Sequence, residues 1–476
     1  MISERRSGPA PRAKAPWRAD AGGTANRPLS SWTAIVLATW LGGCDPTDPN
    51  EGDPEPGGGP TQTHQDILST DLALNLSTLT GRATVKARPS PATGAVRLDV
   101  SKLTLSSVTV DGKTVEAQKE DGLLTVTGQN PELTIVIDYT FPARPAWAFD
   151  GWMPALGVTF VWPYYCANLF PCDPSMRDGV VFTMDVTGVE EGLTAVYPRT
   201  TTAEGPAYMA GITVGDYVEL ALGTTPAGTT IKAWYLENDR GDQAARRGTA
   251  HLVEVFDYFE TTYGAYSFGP EYGSVEVNWG EDSWGGMEHH PYSHIGTFDM
   301  NDEEAHAHEA GHGWYGNGVR VECWEDFVLS EGTTTYIAAR AMEQVGGDDL
   351  WSYYVDYFLE PICEGQDVNT IVLPDTCDEI HFVNDDLWSL ATYMKGACFY
   401  EDVADLIGAD ALDEVIGTFY VEHVNGTARM RDMLEAIHTK ADPADREALR
   451  TLEEEWLYTE ACPADYATRC RARQPR

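Results

Sequence analysis

From about Ile67 to Thr225 apolar and polar residues alternate in short runs between turn signals. Val96-Arg97-Leu98-Asp99-Val100 and Leu133-Thr134-Ile135-Val136-Ile137 are two of them. A period of two puts alternate side chains on one face, so these runs predict strands with one face buried. Asp111-Gly112 marks a hairpin turn. From about Gly228 onward a few strands give way to helices. Arg246 to Tyr263 begins the helical part, Gly273 to Val277 reads as a strand, and Leu452 to Tyr458 closes it. The expected fold is α+β and multidomain, with an N-terminal all-β domain at 65–225. A mainly helical domain at 226–462 and a C-terminal tail at 463–476 follow.

The N-terminal segment breaks this pattern. Trp32 to Leu41 is apolar but too short to span a bilayer. Basic residues precede it and Leu41-Gly42-Gly43-Cys44 follows, which predicts a lipoprotein-type signal peptide over 1–43 with Cys44 lipidated. Residues 44–64 are dominated by Pro, Gly and acids, so they read as a disordered tether. The expected location is outside the cytoplasm: a cell-envelope lipoprotein, periplasm-facing or at the surface, or an extracellular protein.

Cysteine usage agrees with export. Nine cysteines less Cys44 leave an even number, as suits an oxidising compartment. Nearness in sequence favours Cys166 with Cys172, Cys363 with Cys377 and Cys462 with Cys470, leaving Cys323 for Cys398. The formal net charge of −42 argues against nucleic-acid partners and polybasic membrane contact. Membrane contact is therefore expected only through the lipid at Cys44.

The chemistry concentrates in His308-Glu309-Ala310-Gly311-His312, followed by Glu331 after eighteen intervening residues. Helix positions i and i+4 share a face, so His308 and His312 can close on one metal ion while Glu309 points beside them. A helix ending near Gly316-Asn317-Gly318 and a second starting near Glu325-Asp326 can pack side by side, returning Glu331 to the metal. One zinc ion per chain held by two histidines and a carboxylate keeps a position for water. Glu309 can take that water's proton as general base.

The run His308 to Ala339 resembles the gluzincin zinc aminopeptidases of the aminopeptidase N type, in Trp314-Tyr315-Gly316-Asn317 and in Leu329-Ser330-Glu331-Gly332. The resemblance implies His308, His312 and Glu331 as zinc ligands, Glu309 as base, and a thermolysin-like catalytic domain. Gly285-Gly286-Met287-Glu288-His289 is similar to the family's Gly-x-Met-Glu-Asn segment, with His289 in place of asparagine. That likeness implies Gly285, Gly286, Met287 and Glu288 as substrate-binding residues, Glu288 holding the free α-amino group. Tyr393-Met394-Lys395-Gly396-Ala397 resembles the segment whose tyrosine donates to the oxyanion, which implies Tyr393 as a catalytic residue. Phe170-Pro171-Cys172-Asp173-Pro174 is similar to the crossover of the family's β domain.

The resemblance covers both domains and not the C-terminal helical domain that roofs the site in larger relatives, so it implies an open cleft. His306, His290 and His294 take no role, and their expected place is structural or solvent-exposed. The leading functional reading is a metallopeptidase that removes N-terminal residues from peptide substrates. An endopeptidase with an open cleft is the neighbouring alternative. A non-catalytic surface module that keeps zinc for folding is the other.

Overall fold

The computed structural model describes residues 64–470 apart from Trp147, Phe149, Asp239, Glu281, Asp282, residues 382–384 and Asp386. The expected signal segment 1–43, Cys44, the tether through 63 and residues 471–476 lie outside the described residues. The α+β architecture is the expected one, with β sheets first and a mainly helical part after them.

Alternation builds the first sheet. Its strands run in the order Val181–Thr187, Asp66–Asn75, Thr80–Arg88, Leu133–Thr140, Thr104–Val110, Lys113–Thr114. In Leu133–Thr140 the odd-numbered residues are buried and the even-numbered ones more exposed. Their inner face meets a three-stranded sheet carrying Val96, Leu98, Leu124 and Val126 in one apolar core. Asp111 and Gly112 both take left-handed φ values, 50° and 75°, as a two-residue hairpin with the right twist requires. A four-stranded sheet joins the two halves. Its Met153, Val158 and Phe160 share a core with the helical part, as does Tyr208.

The second large sheet has the order Tyr217–Thr224, Thr230–Leu236, Glu271–Val277, Tyr292–Gly296, Gly286–Met287. Tyr217–Thr224 lies before the expected boundary at 225, yet it pairs antiparallel with Thr230–Leu236. The connecting turn is short, and short turns make sequential strands neighbours. At the far edge Gly286–Met287 pairs with Tyr292–Gly296 in the register Met287↔His294.

The expected helix from Arg246 to Tyr263 is two, Gly241–Gly248 and Leu252–Thr262. Thr249 divides them by donating its hydroxyl to the Ala245 carbonyl at 2.6 Å. Leu452 to Tyr458 falls largely within the helix Arg446–Trp456. The helix Phe327–Val345 is buried over most of its length and forms the centre of the helical part. Glu303–Gly311 and Leu390–Ile407 pack on it.

The disulfides correct three of four expected pairings. Cys166–Cys172 is present, but Cys323 pairs with Cys377, Cys363 with Cys462 and Cys398 with Cys470. Pairing follows distance in space, and the helix carrying Cys398 faces the end of the described chain. Residues 463–470 of the expected tail are thereby tied to the fold by Cys470.

Candidate active site

Asp302 starts the helix Glu303–Gly311 by accepting the Glu304 N–H at 3.1 Å. The helix ends at Gly311, earlier than expected, with His312 as its C-cap. A turn through Gly318 follows instead. Gly316 has φ 98°, and a Cβ there would press on Ser330 Oγ at 2.5 Å and His312 Nδ1 at 2.7 Å. This tight turn places the Tyr315 carbonyl 2.9 Å from His312 Nδ1. With Nδ1 donating there, Nε2 presents a lone pair.

His308 Nε2 lies 3.1 Å from His312 Nε2 and 3.1 Å from Glu331 Oε2, and His312 Nε2 lies 3.3 Å from the same oxygen. Zinc–ligand distances of about 2.0–2.1 Å at tetrahedral angles require ligand atoms roughly 3.3 Å apart. The triad therefore fits a zinc ion. All three side chains are buried. Burial pushes the Glu331 carboxyl up, but the two histidines beside it, His312 foremost, hold it down to about 2. Thr335 donates to the Glu331 carbonyl at 2.7 Å and its hydroxyl approaches His308 Nδ1 at 3.5 Å.

Glu309 Oε2 is buried and meets no hydrogen-bond partner among the described residues. Burial pushes its carboxyl well up; His312 opposes this, and Glu288 and Glu331 add to it. A Cβ on Gly286 would collide with the Glu309 carboxylate, so only glycine lets the edge strand lie against the base. His290 Nε2 sits 2.9 Å from the Glu309 carbonyl oxygen and its Nδ1 2.9 Å from Tyr266 Oη. His290 thus supports the helix from behind. His290, His294 and His306 are all buried, which removes the solvent-exposed alternative.

The edge strand delivers Glu288 to the same place. One ligand atom each of Glu288, Glu309 and His312 lie within 4.8 Å of one another. Tyr208 donates to Glu288 Oε1 at 2.6 Å, and Asn317 Nδ2 donates to the Glu288 carbonyl at 2.5 Å. The Trp-Tyr-Gly-Asn segment therefore orients the amine-binding candidate as well as ending the helix. Gly285 donates its N–H to Asp299 Oδ2, and burial pushes that carboxyl up to about 6. His289 is buried edge-on to His294, ring centroids 4.7 Å apart.

Tyr393 lies over His308, with ring centroids 5.8 Å apart and planes 25° apart. Trp388 donates its indole N–H to Tyr393 Oη at 3.2 Å. Burial, with Glu331 and Glu288 adding to it, keeps the phenol well above its ordinary range and therefore protonated. Lys395 of the same segment points away and donates to the carbonyls of Thr370 at 2.8 Å and Thr459 at 2.7 Å. The structure thus brings together His308, Glu309, His312, Glu331, Gly286, Glu288 and Tyr393. Gly285 and Met287 frame Glu288 from the strand. Sequence reasoning missed Tyr208, Trp388, Asp299 and Asn317. Asn317 stood in a quoted motif and Trp388 five residues before Tyr393; Tyr208 carried no local signal.

A family model, the Peptidase family M1 domain, matches residues 298–456. The chain carries a peptidase family M1 domain. The M1 segment spans all three triad residues, Glu309 and Tyr393. Leucine aminopeptidase 2 of Vanderwaltozyma polyspora is 26% identical over 331 residues, covering 59% of this chain and 48% of the relative. Leucine aminopeptidase 2 of Saccharomyces cerevisiae is 23% identical over 458 residues, covering 83% and 64%. The chain spans about half the length of the curated relatives it matches. In structure it is similar to an M1 zinc metallopeptidase of Deinococcus radiodurans, a mutant bound to a Tyr-Ser-Ala substrate. The TM-score is 0.71 at 17% identity, over 84% of this chain and 96% of that one. It is also similar to yeast LTA4 hydrolase, with TM-score 0.67 at 20% identity, over 85% and 69%. At these identities the structural likeness speaks for the fold.

Proposed function

We propose that this M1 protein is a zinc aminopeptidase that removes single residues from the N-termini of peptides, with one zinc ion per chain. The observation that carries the reading is Glu288. A carboxylate held by Tyr208 beside Glu309 and the triad can receive a free α-ammonium group and so place the first peptide bond at the base.

His308, His312 and Glu331 would hold the zinc, which when bound would supply Lewis acidity and lower the pKa of the attacking water. Glu309 accepts the proton of that water and returns it to the leaving amine. Tyr393 donates its hydroxyl proton as a hydrogen bond to the oxygen on which negative charge develops. Trp388, donating to the oxygen of that phenol, fixes its direction. Gly286 keeps the strand close enough for the substrate backbone to lie along it.

We also propose that the protein works outside the cytoplasm, anchored by lipid at Cys44. Four disulfides among the remaining eight cysteines support an oxidising compartment.

A peptide library presented with free and with acetylated N-termini, with and without a chelator, tests the reading. Chelator-sensitive release of the first residue from free peptides alone is expected. Equal cleavage of the acetylated set would assign an endopeptidase instead.

A further inference from the structure

The carbonyl of Glu309 is left without a helical partner by the way its helix ends. In a continuing helix the Gly313 N–H would close on it, but that N–H goes to the Ala310 carbonyl at 3.0 Å. Two side chains of one short segment take the oxygen instead. His290 Nε2 lies 2.9 Å from it and Ser293 Oγ 3.5 Å. A carbonyl only accepts, so His290 donates from Nε2, and its Nδ1 accepts the Tyr266 hydroxyl at 2.9 Å. Burial pushes the imidazole down to about 3, so the ring is neutral and this tautomer uses both nitrogens. Gly313 leaves room for the pair: a Cβ there would lie 2.8 Å from Tyr266 Cε2 and 3.1 Å from His290 Cε1.

The same segment carries the amine anchor. Gly286 lies against the Glu309 side chain and His290 holds the Glu309 backbone, with Glu288 halfway along the chain between them. Anchor and base are thus joined by a short span fastened to Glu309 at both ends. The ammonium group that Glu288 receives and the bond that the water activated by Glu309 attacks belong to one bound peptide. The separation of the two carboxylates therefore enters the reaction geometry directly.

We propose that His290 is a positioning residue which, backed by Tyr266, sets the distance between the amine anchor Glu288 and the base Glu309. It acts through the Glu309 backbone and not on the substrate. The inference rests on the aminopeptidase reading, which gives Glu288 and Glu309 those roles.

The test uses the full-length zinc-loaded protein and a free-amine peptide. His290→Phe keeps a ring and removes the donor. Its kcat should fall roughly 10- to 100-fold, as small displacements of reacting groups cause, with KM and zinc content little changed. His290→Gln, whose amide can donate where Nε2 does, should recover most of the loss. Tyr266→Phe removes only the hydroxyl behind the imidazole. It should give a smaller fall of the same kind, and it carries the test if His290→Phe does not fold. The deciding readout is a double-mutant cycle with Glu288→Ala. With the anchor gone a wrong spacing no longer matters, so either substitution should cost far less on that background than on wild type. Losses of equal size on both backgrounds would overturn the proposal and leave His290 a support of the fold alone. So would a wild-type kcat in His290→Phe or in Tyr266→Phe. Equal cleavage of acetylated peptides, or a Glu288→Ala variant that behaves as wild type, would instead strike the aminopeptidase reading, so the two failures are told apart.

Discussion

Gly332 and Gly396 meet backbone to backbone where the helices Phe327–Val345 and Leu390–Ile407 cross. A Cβ on Gly396 would lie 2.6 Å from the Gly332 Cα, and one on Gly332 2.8 Å from the Gly396 Cα. Glu331 adjoins the first glycine and Tyr393 stands one turn before the second. The closeness of the crossing therefore sets the distance between a metal ligand and the oxyanion donor.

Gly396→Ala must push these helices apart, since the nearest atom it meets is the Gly332 backbone. Overpacking of this kind costs about 1–3 kcal/mol. Chemical denaturation should show that loss, and kcat should fall by more than stability alone explains, because Tyr393 moves relative to Glu331.

Glu309→Gln keeps the volume of the base and removes its proton-accepting charge. Zinc content by elemental analysis should stay at the wild-type level while kcat falls by about 10²-fold or more. Loss of metal in the variant would show that Glu309 serves the site's architecture instead.

Tyr393→Phe removes a donor that acts as charge develops. We expect kcat to drop roughly 10²-fold with KM little changed, as measured in steady-state kinetics on a free-amine peptide. A rise in KM alone would move Tyr393 from the transition state to ground-state binding.

Tyr208→Phe takes one hydrogen bond from the Glu288 carboxylate, an interaction of about 1.5–3 kcal/mol when the acceptor is charged. KM for free-amine peptides should rise by about 10-fold or more. The zinc content should not change, because the Tyr208 hydroxyl donates to Glu288 and not to a triad residue.

Asp299 gives a pH signature. Burial raises its carboxyl from its ordinary value of 3.8 to about 6 in the folded protein, so the native state holds an extra proton between those values. Folding stability from this group is greatest below pH 4 and declines as the pH rises to about 6, by up to roughly 3 kcal/mol. Asn at this position can still accept the Gly285 N–H but does not ionise. The stability of Asp299→Asn relative to wild type should therefore grow between pH 4 and pH 6.5 and then level off, as read by denaturant titration at each pH.

Much of the site was legible along the chain because its parts obey local rules. The i, i+4 spacing of His308 and His312 holds on a single helix. Alternation in Leu133–Thr140 reports which face is buried. Asp111-Gly112 needs only its own φ values to turn. Each depends on bonds and contacts within a few residues.

The tertiary structure decided what no such rule covers. Tyr208 reaches Glu288 from eighty residues away. Three disulfides join partners 54, 72 and 99 residues apart, where nearness in sequence pointed elsewhere. The end of the zinc-ligand helix at Gly311 depends on a turn packed against Ser330 of another helix. In each case the partner is chosen by how sheets and helices pack. The sequence by itself determined which chemical groups the protein has and their local spacing. Packing determined which of them touch.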